Sequence, residues 1–590
     1  MRRSLAVLAA VLVLVGSQPQ PARADSITEF AFELADAATD FTTTGTGNAD
    51  VFIDLSRVSA GFLSKYAVLD VRISYDLARL ADPSCPPYVQ LLTSDAAKTA
   101  GTRLRRSAVG KVAVQRVAIG RPAERYYLAQ IRRNASGVST AGPCVITASV
   151  PFTLKVKLSQ SAPAATGFGF TTQLLPVRGD GEPSVAVDRL HGDIVYVSAP
   201  TAGPALLGGQ DAGVDLWRSF DGGRTFTYSQ PQFGNSAGGF DSHVVVADNG
   251  DVYLADLGAA AIYLGRSTDH GATFTALTPA GVDSDRQWLA LYTPPGASAP
   301  TKKYVSYHDI NVDNLPYECL IVGDVGQPVC NPMATDPVVL ANATGNTVMG
   351  NQVFGSDGTI YSVFGAPGAP SGGAPAELRN IYLARSADGI VFTDRLIHGV
   401  TPGHDIGGLF PIIAVDRADT LYVAWSERAT PTGSSVIKVS WSTDRGDTWS
   451  LPLAVSPAGG SAVLPWIAAG AAGHVDIVWV GSKSASFNDP TADWYVYMAQ
   501  AKDLPTGSGI TVGRVTPQPV RYGTVCLLGL LCSTEGDDGR ILLDFISVDF
   551  DSAGFARVAY GDSGAEGPAD DPARPYTGHG RQTSGGSVLP

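Results

Sequence analysis

Ser442-Thr443-Asp444-Arg445-Gly446-Asp447-Thr448-Trp449 is the stretch on which the reading of this 590-residue chain turns. Its Ser and Asp side chains can bond backbone amides of a tight turn, its Gly supplies a φ that other residues resist, and its aromatic residue folds back onto an apolar layer. The pattern Ser-x-Asp-x-Gly-x-Thr-aromatic therefore marks a turn between two antiparallel strands. It recurs in full as Ser219-Phe220-Asp221-Gly222-Gly223-Arg224-Thr225-Phe226 and as Ser267-Thr268-Asp269-His270-Gly271-Ala272-Thr273-Phe274. A shortened copy reads Ser386-Ala387-Asp388-Gly389-Ile390-Val391-Phe392. A single copy is a turn; four imply a repeat architecture.

A second repeat, offset from these turns, is a pair of short strands. The pairs are 183–188 with 193–198, 242–248 with 251–255, 287–292 with 303–307, 351–357 with 359–364, 411–416 with 420–425, 465–470 with 474–480, and 544–549 with 555–560. Their starts are separated by 59, 45, 64, 60, 54 and 79 residues, long for a bare four-stranded unit, so loops carry insertions.

The four boxes resemble the Asp-box, or bacterial neuraminidase repeat, of the sialidase superfamily of β-propellers, over roughly residues 170–590. The resemblance implies an all-β sialidase-like β-propeller with each box on the outer hairpin of a blade, away from the pocket. Seven inner pairs favour seven blades, whereas the family pattern points to six. The last unit is expected to take its outer strand from 171–177, which closes the ring and removes an exposed sheet edge. One fold of this kind serves several activities, so the scaffold by itself does not name the chemistry.

Composition agrees with this architecture: 16% charged residues, 66 Gly and 39 Pro describe a turn-rich β protein. Arg2 and Arg3, an apolar run from Leu5 to Val15, and Ala22-Arg23-Ala24 read as a secretory signal over 1–24, so the protein is expected to be secreted. Its removal leaves 39 Lys and Arg against 55 Asp and Glu, a formal charge of −16. Such a surface disfavours nucleic acid and anionic lipid, and no later stretch is long and apolar enough for a transmembrane anchor. Residues 25–165 lack the box but alternate apolar and polar residues, as in Phe152-Thr153-Leu154-Lys155-Val156-Lys157, and are expected to form a small β-sandwich before the propeller of 166–590. This module either binds glycan or caps the structure. Six cysteines in an exported chain favour disulfides, most economically Cys85 with Cys144, Cys319 with Cys330, and Cys526 with Cys532.

Because paired inner strands run antiparallel, the start of the first and the end of the second share one face, and the boxes occupy the other. Strand entries bring Glu182, Asp241, His243, Asp285, Arg286, Gln287, Trp288, Asn351, Gln352 and Asp544 to that face, with His404 and Asp405 from a loop. Strand exits add Asp256, His308, Asp309, Glu427 and Asp562. Polar residues at strand ends commonly cap turns, but as a group they suggest a shared mouth. Asp285-Arg286-Gln287-Trp288 is the strongest single segment, able to grasp a carboxylate or sugar, or else an Arg paired with its neighbours and a Trp wedged between blades.

For a sialidase the resemblance implies three arginines around the substrate carboxylate, a Tyr nucleophile with a Glu partner, and an Asp acid/base. The Phe-Arg-Ile-Pro type segment is missing, and Arg178 stands in a different context. Arg286, Arg379 and Arg540 for the triad, and Tyr307, Tyr560 and Glu427 for nucleophile and partner, have no motif to anchor them. No cofactor is expected. The acidic rim offers oxygens of the kind Ca²⁺ takes, but no spacing defines a metal site. Three functions follow as expectations: a secreted propeller binding an extracellular glycan or protein at a polar central mouth; an exo-acting glycoside hydrolase using Arg286, Asp241 and Glu427; or an exported structural scaffold.

Overall fold

The computed structural model describes residues 27–35, 39–46, 48–63, 67–75, 87–107, 112–119, 125–133, 151–160, 167–175, 181–201, 213–233, 238–258, 261–281, 284–309, 315–342, 347–368, 378–406, 409–428, 430, 433–489, 492–507, 509–527, 542, 544–563 and 575–589. The expected leader, Cys85, Cys144, Cys532, Arg178 and Arg540 lie outside them. The chain divides into two compact units, Met1–Ala162 and Pro163–Pro590.

In the first unit a five-stranded sheet orders Ile27–Ala35, Asn48–Arg57, Tyr126–Arg133, Pro87–Ser94 and Ala100–Ser107. A four-stranded sheet orders Thr39–Thr46, Pro151–Gln160, Ala67–Tyr75 and Val112–Ile119. Phe152, Leu154, Val156 and Leu158 alternate with Thr153, Lys155 and Lys157, so one face of their strand is buried and the other meets solvent. That buried face joins Phe32, Leu34, Val51, Ile53 and Leu55 of the other sheet in one apolar core.

The described residues of the second unit form seven antiparallel sheets, numbered I to VII, and the first six run in chain order. Their first strands are Ser184–Asp188, Ser242–Val246, Ser284–Tyr292, Val348–Phe354, Ile412–Val415, Ser461–Ala469 and Ser547–Phe550. Sheet VII takes its fourth strand, Gly169–Leu174, from the beginning of the unit, paired with Tyr576–Ser584. First strands of consecutive sheets pack side by side, and that of sheet VII packs on that of sheet I, so the array closes on itself.

Side chains bridge these first strands where no backbone ladder does. Asn351 donates from Nδ2 to the Ile413 carbonyl at 2.9 Å and accepts the Ile413 amide at 2.7 Å. His243 Nδ1 accepts the Leu289 amide at 2.9 Å, and Ser547 Oγ accepts the Val185 amide at 2.9 Å.

The four Ser-x-Asp turns each join a third strand to a fourth, in sheets I, II, IV and V. Ser442 Oγ donates to Asp444 Oδ1 at 2.7 Å and accepts the Gly446 amide at 2.8 Å. Asp444 then accepts the Thr448 hydroxyl at 2.6 Å and its amide at 2.9 Å, and with the Ser442 hydroxyl these hold its carboxyl down at about 2. The shortened copy keeps the Ser386 to Asp388 bond at 2.9 Å and replaces Thr with the amides of Ile390 and Val391. Gly446, at φ 90°, has room for no Cβ, which would stand 2.2 Å from Leu383 Cδ2 of the preceding sheet. Each turn is thus a docking point between sheets. In sheet III, the disulfide Cys319–Cys330 links the third and fourth strands. Cys526 is also disulfide-bonded.

Candidate functional site

The segment Asp285 to Trp288 departs from regular strand geometry. Asp285 pairs with His308 and Trp288 with Ser306, so two residues oppose one and the strand bulges. Arg286 sits in the bulge at φ 48°, the left-handed region. Comparable shifts occur between Met349 and Gln352 and between Val463 and Trp466, where Leu464 has φ 55°. Glu182 has φ 56° as it enters sheet I. Non-glycine residues hold this conformation only where their surroundings enforce it, and such residues concentrate at functional positions.

Two of these bulges, at Trp288 and Trp466, carry large rings that meet. Trp288 lies 5.2 Å from Trp466, 5.4 Å from Phe545, 5.6 Å from Phe410 and 5.2 Å from His243, centroid to centroid. Entries of sheets II, III, V, VI and VII therefore meet in one buried aromatic plug. Trp288 is fully buried and donates its indole N–H to the Met349 carbonyl at 3.0 Å, which makes it a wall of the ring rather than a ligand contact.

Arg286 lies against this plug. Its guanidinium stacks 4.0 Å from the Trp288 ring centre and 3.9 Å from that of Phe545. Nη2 donates to the Ser242 carbonyl at 3.3 Å, while Nη1 is 3.7 Å from Asp241 Oδ1 and 4.0 Å from Glu182 Oε2. Among the described residues, Nε and Nη1 have no hydrogen-bond partner. Burial lowers the pKa of this cation, opposed by the charges of Asp241, Glu182, Asp544 and Asp285.

The carboxyls differ sharply. Glu182 is pushed well above the usual range by burial first, then by Asp241 and Asp544 and a hydrogen bond with Asp241, with Arg286 opposing. It accepts the Asp544 amide at 2.8 Å. Asp256 is raised to about 7, mainly by burial, although it accepts the Gly239 amide at 2.6 Å. Asp285 is raised by burial and by Asp241, with His308 opposing. Burial keeps His308 and His243 below the ordinary histidine value, His243 at about 3. Side-chain exposure climbs from 2% at Glu182 and Arg286 to 14% at Asp241 and 45% at Asp285, so the cluster opens toward Asp285.

Other expected residues fall elsewhere. Glu427 accepts from Trp425 Nε1 at 3.1 Å, faces His398 Nε2 at 3.0 Å and binds Lys438 Nζ at 2.5 Å, partners that Arg286 does not share. These bonds outweigh burial and bring its carboxyl down to about 2, leaving an occupied acceptor. Asn351 is the inter-sheet bridge described above. Gln352 donates to the carbonyls of Trp288 at 3.0 Å and Tyr304 at 3.3 Å. Asp405 pairs with Arg428, and neighbouring His404 donates its amide to the Thr401 carbonyl. Asp309 is buried and acts on His308. Tyr307 stacks on Tyr317 at 5.7 Å, while Tyr560 and Arg379 are buried.

The sequence reading missed Phe410, Trp466 and Phe545. Aligned on Gln287 and Pro465, Trp288 and Trp466 occupy the same repeat position, a signal present in the sequence. It also missed a cavity of about 490 Å³ at the box-side ends of the first strands of sheets II to V, lined by Val245, Leu289, Tyr292, Phe354, Val415 and Asp419 among others. No helix among the described residues is long and apolar enough to cross a membrane.

No protein-family model and no curated protein matches this chain. Among solved structures it is similar to a protein of unknown function from Dyadobacter fermentans DSM 18053, at 13% identity, 70% of this chain, 99% of that chain and TM-score 0.39. The Hadza microbial sialidase Hz136 matches at 11% identity, 88% of this chain, 93% of that chain and TM-score 0.34. YCF48 bound to D1 peptide matches at 10% identity, 72% of this chain, 98% of that chain and TM-score 0.37.

Proposed function

We propose that the chain is an exported, seven-bladed, Asp-box propeller of sialidase-like type, preceded by a small β-sandwich. It binds an extracellular glycan or protein through the carboxyl cluster around Arg286 and does not turn over sialosides. The supporting observation is the surroundings of Arg286. A buried guanidinium whose charge is offset by Asp241, Asp544 and Asp285, and which is stacked between two rings, has little positive field left for a sugar carboxylate. An acid-rich opening instead accepts hydrogen bonds from sugar hydroxyls or from ammonium and guanidinium groups.

One observation favours hydrolysis: a carboxyl held protonated, Glu182, shares a cluster with other carboxyls, the arrangement that separates acid and base roles. Glu182 is nonetheless buried beneath the opening. A glycan array and a panel of fluorogenic glycosides, sialosides included, decide between the readings. Binding without turnover is expected, weakened roughly tenfold or more by Asp285→Asn with Asp241→Asn, as loss of charged hydrogen bonds implies. Turnover abolished by Arg286→Ala would establish the hydrolase. Absence of any binding would leave the scaffold reading.

A further inference from the structure

The turn of sheet I's first hairpin and the Ser-x-Asp turn of sheet II meet on the face opposite Arg286. Asp188 ends the first strand of sheet I, His191 stands in the turn that follows, and His270 lies within Ser267-Thr268-Asp269-His270-Gly271. His191 Nδ1 is 2.8 Å from Asp188 Oδ2, and His270 Nδ1 is 3.8 Å from the same oxygen. The three ligand atoms lie within 4.8 Å of one another.

We infer that Asp188, His191 and His270 form a binding site for a divalent transition metal of the zinc class, which clips sheet I to sheet II. Two imidazole nitrogens and one carboxylate oxygen suit such ions rather than Ca²⁺ or Mg²⁺, which take oxygen ligands. A tetrahedral ion with bonds of about 2.1 Å sets its ligand atoms about 3.4 Å apart. The 3.8 Å separation is close to that spacing, whereas the 2.8 Å contact is a hydrogen bond between His191 Nδ1 and Asp188 Oδ2, which a bound ion would replace as the pair opens by about 0.6 Å.

Several features of the surroundings support the assignment. Asp188 is buried, and its Oδ1 is occupied by the amides of Leu190 at 3.0 Å and His191 at 3.1 Å, which fixes the carboxylate and aims Oδ2 at the histidines. His270 Nδ1 is buried and has no hydrogen-bond partner among the described residues, an unmet cost that a metal bond would remove. His270 holds φ 56°, a conformation set by the turn itself, since Arg445 at the same position of the Ser442 copy has φ 62° and Gly222 of the Ser219 copy has φ 71°. Gly250, at φ 86°, makes room for the His191 ring, since a Cβ there would stand 2.5 Å from it. The rings meet edge to face at 5.0 Å, and both side chains are about two-fifths exposed, which leaves a solvent-facing fourth position for water.

The test uses the untagged mature chain, freed of metal with a chelator, titrated with ZnCl₂ by calorimetry and with CoCl₂ by visible absorption. One saturable equivalent of Zn²⁺, a tetrahedral Co²⁺ spectrum and a zinc-dependent rise in Tm are expected. Both His191→Ala and His270→Gly should abolish all three. His270→Gly relieves the left-handed φ, so a folded protein whose metal-free Tm is no lower than that of the wild type and which gives no zinc response separates ligand loss from misfolding. Absence of saturable binding by the wild-type chain, or full binding by the double variant, would overturn the site. A response to CaCl₂ but not ZnCl₂ would overturn the assigned metal class.

Discussion

Asp256 shows how one buried carboxyl ties stability to pH. Its folded pKa of about 7, against an ordinary value of 3.8, means that between these values the folded state binds a proton that the unfolded state has released. Stability from this group is therefore fully present below about 3.8 and is lost as pH rises through about 7. Glu182 is shifted in the same direction. Asp256→Asn retains an acceptor for the Gly239 amide and removes the charge. Urea unfolding should show the variant gaining on the wild type by on the order of 2–3 kcal/mol between pH 5 and pH 8. Equal pH profiles would show that Asp256 is not held protonated. Sequence alone placed Asp256 at a strand exit, but a neighbouring loop supplies its burial, and no local pattern encodes that.

At the scale of the element, the Ser-x-Asp turns are the most legible feature, because every bond that defines them falls within eight consecutive residues. The glycine's second duty was not legible. Gly446 is needed for its φ of 90° and also because Leu383 of the preceding sheet occupies the space of a Cβ. Gly446→Ala should therefore cost more than the roughly 1 kcal/mol of a conformational effect alone, about 2–3 kcal/mol with overpacking. Chemical denaturation measures this, and a loss below about 1 kcal/mol would show that Leu383 yields freely. The bulge at Arg286 is a contrasting case. Asp285-Arg286-Gln287-Trp288 stands out in the sequence for its side chains, whereas its left-handed residue and shifted register have no local sequence signal.

For the whole molecule, the decisive contact joins the two ends of the second unit. Gly169–Leu174 completes sheet VII against Tyr576–Ser584, and the Ser547 to Val185 bond ties sheet VII to sheet I. Deleting 167–175 from the full chain exposes the edge of Tyr576–Ser584 and leaves closure to the first strands. Lower Tm and faster proteolysis within 547–589 are expected. An unchanged Tm and digestion pattern would mean that the fourth strand of sheet VII is dispensable.

By itself, the sequence determined the elements: repeated turns, seven strand pairs, period-two faces and the entry and exit polarity of each pair, all carried by residues near one another in the chain. Only the tertiary structure decided which polar entries cluster together. Asn351, Gln352 and His243 became bridges, Glu427 joined His398 and Lys438, and Arg286 gathered Glu182, Asp241, Asp285 and Asp544. Residues far apart in sequence share a dielectric and a proton only when closure of the sheets brings them together, and desolvation then sets which are charged.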